Sequence, residues 1–139
     1  MNDQDKFTGF KQKLIKDNED QYGQEVREKY GDEAVDRSNQ KVLNMSSEQY
    51  EKVEKLAAAI KQSLREAFAS GDPGGAAAQR AADLHRQWLL HFWDSYSPEA
   101  HRGMAQMYVD DERFTAYYDQ EQPGTAAFFK AAIDIYTQN

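Results

Sequence analysis

The 139-residue chain has no cysteine. That absence excludes disulfides, thiolate metal sites and a cysteine nucleophile. Positive charge is also scarce: 17 Lys and Arg stand against 24 Asp and Glu, a formal net charge of −7 with a pI near 4.9. Phosphate backbones need clustered Lys and Arg, so DNA or RNA is not expected as a direct partner. The acidic residues are spread along the chain, with no block long enough to form a tail. Long apolar runs are missing as well. Nothing approaches the ~20 residues of a membrane span, and the N-terminus "MNDQDKF" lacks a signal-peptide core. A cytoplasmic protein without membrane association is expected, and its length suits one domain.

What is present reads as helix throughout, and no segment keeps the period-two alternation of a strand. In "NMSSEQYEKVEKL", Ser46 can cap a helix, Gln49 completes an S-x-x-Q capping box, and Met45 with Tyr50 can form a hydrophobic staple. The three-and-four spacing of Val53, Leu56, Ala57, Ile60, Leu64, Ala67 and Phe68 carries that helix to Ser70-Gly71, where "DPGG" turns the chain. "AAAQRAADL" starts the next helix, which the apolar pattern extends to Tyr96. Ser97 and Pro98 cap and open another. A short helix follows over "ERFTAYYDQ", and a last one over "TAAFFKAAIDIYTQ" buries Phe128, Phe129, Ala132, Ile133 and Tyr136.

The first 45 residues are also helix-compatible but poor in apolar side chains, and Gly23 and Gly31 are expected to break them into short pieces. Short polar helices are marginal unless they dock on something. The organisation expected is therefore a loosely held helical lid over 1–45 and a firm helical core with an aromatic cleft over 46–139.

"DLHRQWLLHFWDSY", residues 83–96, carries the most information. On a helix of about 100° per residue, His85, Leu89, Phe92 and Tyr96 fall on one line, flanked by Trp88 and Trp93. Leu84 and Leu90 widen the apolar arc beyond what one buried face uses. His85 reads either as a core histidine bonded to a carbonyl or carboxylate, or as a polar anchor facing a cavity; a haem ligand is a third reading. The spacings of His85, His91 and His101 place no two of them one turn apart on a single helix, so no metal site is expected. Asp110, Asp111 and Glu112 diverge around a helix and read as a solvated helix start paired with Arg113 or Arg102. No G-x-S-x-G, P-loop or EF-hand pattern occurs, and nothing favours an enzyme.

Aromatic residues are instead dense, and tyrosines want both an apolar wall and a polar partner. "FTAYY" puts Phe114, Tyr117 and Tyr118 on one face of a short helix. With the wide arc of 83–96, this suggests a cleft for a large, flat, poorly soluble ligand.

The ordered set Tyr30-Gly31, Gly71-Asp72-Pro73, His85, Trp88, Leu89, Phe92, Trp93, Tyr108, Asp111, Arg113, Phe114, Tyr118, Asp119, Ala132, Ile133 and Tyr136 resembles the TipAS antibiotic-recognition domain over roughly residues 20–138. This domain occurs at the C-terminus of certain MerR-family transcription activators and as free-standing proteins. The resemblance implies an all-α, globin-like fold without haem or other cofactor. It implies a cleft for thiopeptide or other bulky aromatic antibiotics, closed by an N-terminal segment that orders over the ligand. It would make the chain a free-standing version, an internal-start product or a trimmed regulator whose winged-helix and dimerisation parts are absent. Some members capture ligands through a cysteine thiol; here binding would be reversible.

The ligand-binding residues expected are His85, Trp88, Leu89, Phe92, Trp93, Tyr96, Tyr108, Phe114, Tyr117 and Tyr118. The reading is a drug-sensing or sequestering domain, monomeric or weakly dimeric. The competing reading is a helical protein-interaction or dimerisation module whose apolar arc is covered by a partner or a second copy.

Overall fold

The computed structural model describes residues 3–138, and among these the regular structure is entirely α-helical. In chain order the helices are α1 (Asp3–Tyr30), α2 (Asp32–Asn44), α3 (Ser47–Ser70), α4 (Ala76–Leu89), α5 (Pro98–Asp110), α6 (Glu112–Asp119) and α7 (Thr125–Tyr136). No helix among the described residues is long and apolar enough to cross a membrane. The chain divides into two compact units: residues up to Val53 with His91–Asp94, and Glu54–Leu90 with the chain from Ser95 onward. The expected boundary at 45/46 therefore lies within the first unit.

In the first unit α1 is one continuous helix, so Gly23 does not break it as the sequence suggested; only Gly31, at φ 87°, does. The reason is local. Gly23 is buried beneath the Glu19 carboxylate, where a Cβ would collide. Glu19 in turn accepts from Arg27 Nε at 3.0 Å and from Asn39 Nδ2 at 2.9 Å, tying α1 to α2. Lys11 is buried, and its ammonium donates to the carbonyls of Leu43 at 2.6 Å and Met45 at 2.8 Å. It thereby satisfies acceptors that the end of α2 leaves open, where a cation also suits the helix dipole. Within α1, Lys11 and Gly23 are the buried positions among the described side chains. A helix with so little buried apolar surface has a low free energy of local opening.

In the second unit the core joins Ile60 and Leu64 of α3, Ala81 and Ala82 of α4, Ala105 and Tyr108 of α5, and Phe129 and Ile133 of α7. The alanines let the helix axes approach closely, which makes the alanine-rich start of α4 a packing face. Caps match the sequence at several ends. The Ser46 hydroxyl accepts from Gln49 N at 3.1 Å, and Ser97 accepts from Ala100 N at 3.1 Å with Pro98 opening α5. Asp111 caps α6, accepting from Arg113 N at 2.9 Å, and its carboxylate meets the Arg113 guanidinium at 2.8 Å. Asp119 at the end of α6 accepts from Ala126 N at 2.8 Å, which fixes the entry to α7.

Gly124 precedes α7 at φ 94°, and a Cβ there would meet the Phe68 ring at an ordinary 3.6 Å. The side chain has room, so the cost of substitution is in the backbone. Gly124→Ala is expected to lower stability by roughly 1–2 kcal/mol in urea unfolding, the usual penalty for an L-residue in the left-handed region. An unchanged midpoint would remove that reading.

One expected helix is shorter than its apolar pattern. α4 ends at Leu89, and 90–97 form a turn. Pro98 keeps Ser97 extended, at φ −136° and ψ 132°. Phe92, Trp93, Asp94 and Ser95 are weak helix formers, and tertiary partners take over their polar groups. Lys41 Nζ donates to the Trp93 carbonyl at 3.0 Å, and Asp94 pairs with Arg37 and Lys41 at 3.5 and 3.4 Å. His85, Leu89, Phe92 and Tyr96 thus share no helical face.

Candidate ligand-binding site

The aromatic side chains of the second unit form a stack rather than a line. Phe129 of α7 is fully buried at its centre, with the His85, Tyr118 and Tyr108 rings at 5.0, 5.6 and 6.5 Å. Phe114 tilts against Tyr108 at 5.6 Å, Tyr118 lies 4.8 Å from Tyr108, and Trp88 stacks nearly parallel to His85 at 5.7 Å. Such offset and edge-to-face pairs add about 0.5–1.5 kcal/mol each beyond area burial.

A chain of hydrogen bonds runs through this stack. Tyr96 Oη lies 2.7 Å from His101 Nδ1, His101 Nε2 lies 2.8 Å from His85 Nδ1, and His85 Nε2 lies 3.0 Å from Tyr108 Oη. Burial, and then the charge of the other imidazole, holds His85 well below its ordinary pKa. Burial and then Arg86 lower His101 to about 4. Burial pushes the Tyr118 phenol well up, with Tyr108 adding to it. At neutral pH the two imidazoles are uncharged and the Tyr118 phenol keeps its proton. Beside them, Tyr136 Oη donates to Asp83 at 2.6 Å and accepts from Arg86 at 2.9 Å; the bond from Tyr136 holds the Asp83 carboxyl below its usual range.

His85 is therefore a core histidine, but its partners are a histidine and a tyrosine, not the carbonyl or carboxylate the sequence suggested. Leu89 and Tyr108 are likewise buried, so these three form the floor behind the surface. Trp88, Phe114 and Tyr118 are half-buried against the core. Tyr96 is half-buried at the far end of the hydrogen-bond chain, under the Arg86 guanidinium, 5.8 Å above its ring. Phe92 and Trp93 belong to the segment counted with the first unit.

Tyr117 is 43% exposed and meets Tyr118 edge-on at 5.0 Å. These two tyrosines form one wall of a groove of about 310 Å³, whose apolar floor is Leu64 and Phe68 of α3. At its rim Lys61 Nζ sits 5.0 Å above the Tyr117 ring, and Arg65 grips Glu121 with two bonds of 2.6 and 2.7 Å.

Sequence reasoning missed three contributors. His101 was weighed only for spacing along one helix, whereas it meets His85 from α5 across to α4. Phe68 and Lys61 belong to a helix read purely as core; their distance from the aromatic-rich segment left no local signal. Among the described residues no three His, Cys, Asp or Glu side chains converge as a metal site would require.

The sequence profile of the TipAS antibiotic-recognition domain matches residues 22–136. The HTH-type transcriptional activator TipA of Streptomyces coelicolor is 33% identical over 116 residues, which are 82% of this chain and 46% of TipA. The HTH-type transcriptional activator mta of Bacillus subtilis is 29% identical over 136 residues, 98% of this chain and 52% of mta. The chain thus spans about half the length of these curated relatives. A solved structure of TipAS from Streptomyces lividans, in complex with nosiheptide, matches with a TM-score of 0.71 at 31% identity, covering 86% of this chain and 85% of that one. The all-α, globin-like architecture is common to both. With a profile match over most of its length and a relative one-third identical, this chain belongs to the TipAS antibiotic-recognition domain family.

Proposed function

We propose that this domain binds bulky aromatic antibiotics of the thiopeptide type, reversibly and without catalysis, using the ring surface at Tyr117 and Tyr118. The observation that carries this reading is the half-exposed Tyr117 beside a buried ring stack, at the mouth of the groove over Leu64 and Phe68. An exposed phenol continuous with packed rings offers stacking surface that folding leaves unused. Nosiheptide in the TipAS complex supplies the ligand class. The groove, at about 310 Å³, lies at the small end of ligand pockets. It accommodates one ring-bearing arm of such a molecule, and the remainder lies over neighbouring surface such as Phe114 and Trp88. His85, Leu89 and Tyr108 act from behind, by fixing those rings. With no cysteine in the chain, release is unimpeded by covalent capture.

The TipA and mta relatives are transcription activators, so a longer protein carrying this domain would use it as its drug sensor in the cytoplasm; alone it would sequester drug. Ligand is expected to raise amide-exchange protection over α1 and α2, whose few buried contacts leave them the easiest part to order further.

The test is tryptophan fluorescence titrated with nosiheptide, together with Tyr117→Ala. Saturable quenching is expected. The variant should bind about tenfold more weakly, the equivalent of ~1.4 kcal/mol from one lost ring contact, with unchanged urea stability. Flat traces with nosiheptide and with other bulky aromatic antibiotics would end the antibiotic reading.

One observation favours the competing reading. Phe10 and Leu14, one turn apart on α1, are 48% and 40% exposed, an apolar pair that a partner helix or second copy could cover. A dimer that grows with concentration on size exclusion and ignores ligand would support interaction over drug binding.

A further inference from the structure

Three charged side chains stand at the rim of the groove: Lys61 and Arg65, one turn apart on α3, and Glu121, just past the end of α6. Two of them cancel. The Glu121 carboxylate accepts from Arg65 Nε at 2.6 Å and from Arg65 Nη2 at 2.7 Å, and Gln62 accepts from Arg65 Nη1 at 3.3 Å. A bidentate pair of this kind is fixed in geometry, and both of its charges are spent on each other. Lys61 is left over. Among the described residues it makes no hydrogen bond or ion pair; its ammonium lies 5.0 Å above the Tyr117 ring and acts on Glu121 only as a more distant charge.

A cation over a ring face occupies the surface that a second ring would stack on. Tyr117 is the exposed ring of the groove wall, so a guest that stacks beneath Lys61 has to displace its ammonium. A neutral guest gives the displaced cation nothing in return. A guest whose ring bears an ionised acid gives it a charge-assisted bond, while the ring itself lies against Tyr117 and over the apolar floor of Leu64 and Phe68. We propose that Lys61 determines the specificity of this groove, selecting an aromatic ring that carries an ionised acid over the same ring without one. The selection works by exchange: the ammonium gives up the Tyr117 face and takes the acid. Arg65 and Glu121 hold the rim and add no net charge to it. This deepens the ligand reading above and rests on the groove being its site.

The test titrates the full chain at neutral pH with naphthoate and with naphthamide, two probes of nearly the same shape that differ by one charge, and follows the backbone amides of Tyr117, Gln120 and Gln122 by ¹H–¹⁵N spectroscopy. Both probes should move these amides. Naphthoate should bind about two- to fivefold more tightly, the worth of one exposed ion pair. That preference should shrink toward none in about 1 M salt, where the screening length is roughly 3 Å. Lys61 is exposed, so its replacement leaves the fold intact. In Lys61→Met the preference should vanish because naphthoate weakens while naphthamide binds as well as before or better; Lys61→Arg should keep it. Equal binding of the two probes to the wild type, a preference that survives in Lys61→Met, an equal loss of both probes in that variant, or groove amides that stay still would overturn the proposal. Glu121→Gln frees the Arg65 fork and should widen the preference; an unchanged or narrower one would overturn the cancellation of those two charges. Nosiheptide is titrated in parallel. If it fails to bind while naphthoate is still preferred, the antibiotic reading falls and the selection by Lys61 stands; if it binds while the probes are not distinguished, the reverse holds.

Discussion

Phe129→Ala is expected to lower the unfolding free energy by about 3–5 kcal/mol, the usual range for emptying a buried phenylalanine site. The effect belongs at the top of that range. Phe129 is fully buried, and its ring is the common neighbour of His85, Tyr108 and Tyr118, so removal leaves a cavity that three aromatic groups cannot all collapse into. The cavity would also border the His85 hydrogen bonds, exposing a polar network to a void or to water. A domain of this size has about 5–15 kcal/mol in total, so the variant should sit near its folding threshold. Urea unfolding followed by far-UV circular dichroism measures it: a midpoint lower by roughly 1–3 M with an unchanged slope is expected. The Tyr117→Ala variant on the neighbouring helix is the control, because Tyr117 is 43% exposed and its truncation leaves little cavity. A loss below 1 kcal/mol for Phe129→Ala would mean that the ring stack is not the centre of the fold.

Helix positions were legible where local chemistry decides them. Ser46, Ser97 with Pro98, and the turn at Gly71 act through bonds to residues three or four away, and each sits where the pattern placed it. Gly23 misled because a glycine weakens a helix only on average, and here the Glu19 carboxylate occupies the space beside it. The aromatic run after Leu89 misled for the opposite reason: its periodicity is helical, yet Pro98 just beyond it, and Lys41 and Arg37 through contacts far along the chain, withdraw it from the helix. At the candidate site, Tyr117 and Tyr118 were visible as a short aromatic face. The groove floor of Leu64 and Phe68 was not, since helix α3 has an unbroken apolar stripe that reads as core whichever part of it borders a groove. The His85–His101 bond lies 16 residues apart in sequence and joins two helices, and no periodicity within either helix encodes it.

That same bond makes acid the second large perturbation. His85 and His101 are buried and neutral in the folded chain, with proton affinities depressed first by burial. Unfolded, each returns to the ordinary value near 6.5. Above that pH neither state binds protons and their stabilising effect is complete. As pH falls below 6.5 the unfolded chain takes up protons that the folded one refuses, so stability drops with pH. His101, at about 4 when folded, contributes a loss of about 3 kcal/mol by the bottom of that window, at ~1.4 kcal/mol per unit. His85 acts in the same direction. The two share one hydrogen bond and a charge on either opposes a charge on the other, so the pair takes up its protons in two separate steps. Carboxylates such as Asp83 and Asp111, whose proton affinities are lowered by hydrogen bonds from Tyr136 and Arg113, add their own loss only at lower pH. The upper part of the interval, from 6.5 to about 5.5, therefore isolates the histidines, and Glu19, Glu99 and Glu121, whose proton affinities are also lowered, begin to add their loss below it. Urea titrations at pH 7.5, 6.5, 5.5 and 4.5 should give a flat first step and then a steady decline for the wild type. His101→Gln should be weaker at pH 7.5 but decline less steeply below 6.5, because one of the two refused protons has no site. A wild-type stability that stays level from pH 6.5 to 4.5 would show that these imidazoles are not held neutral in the core.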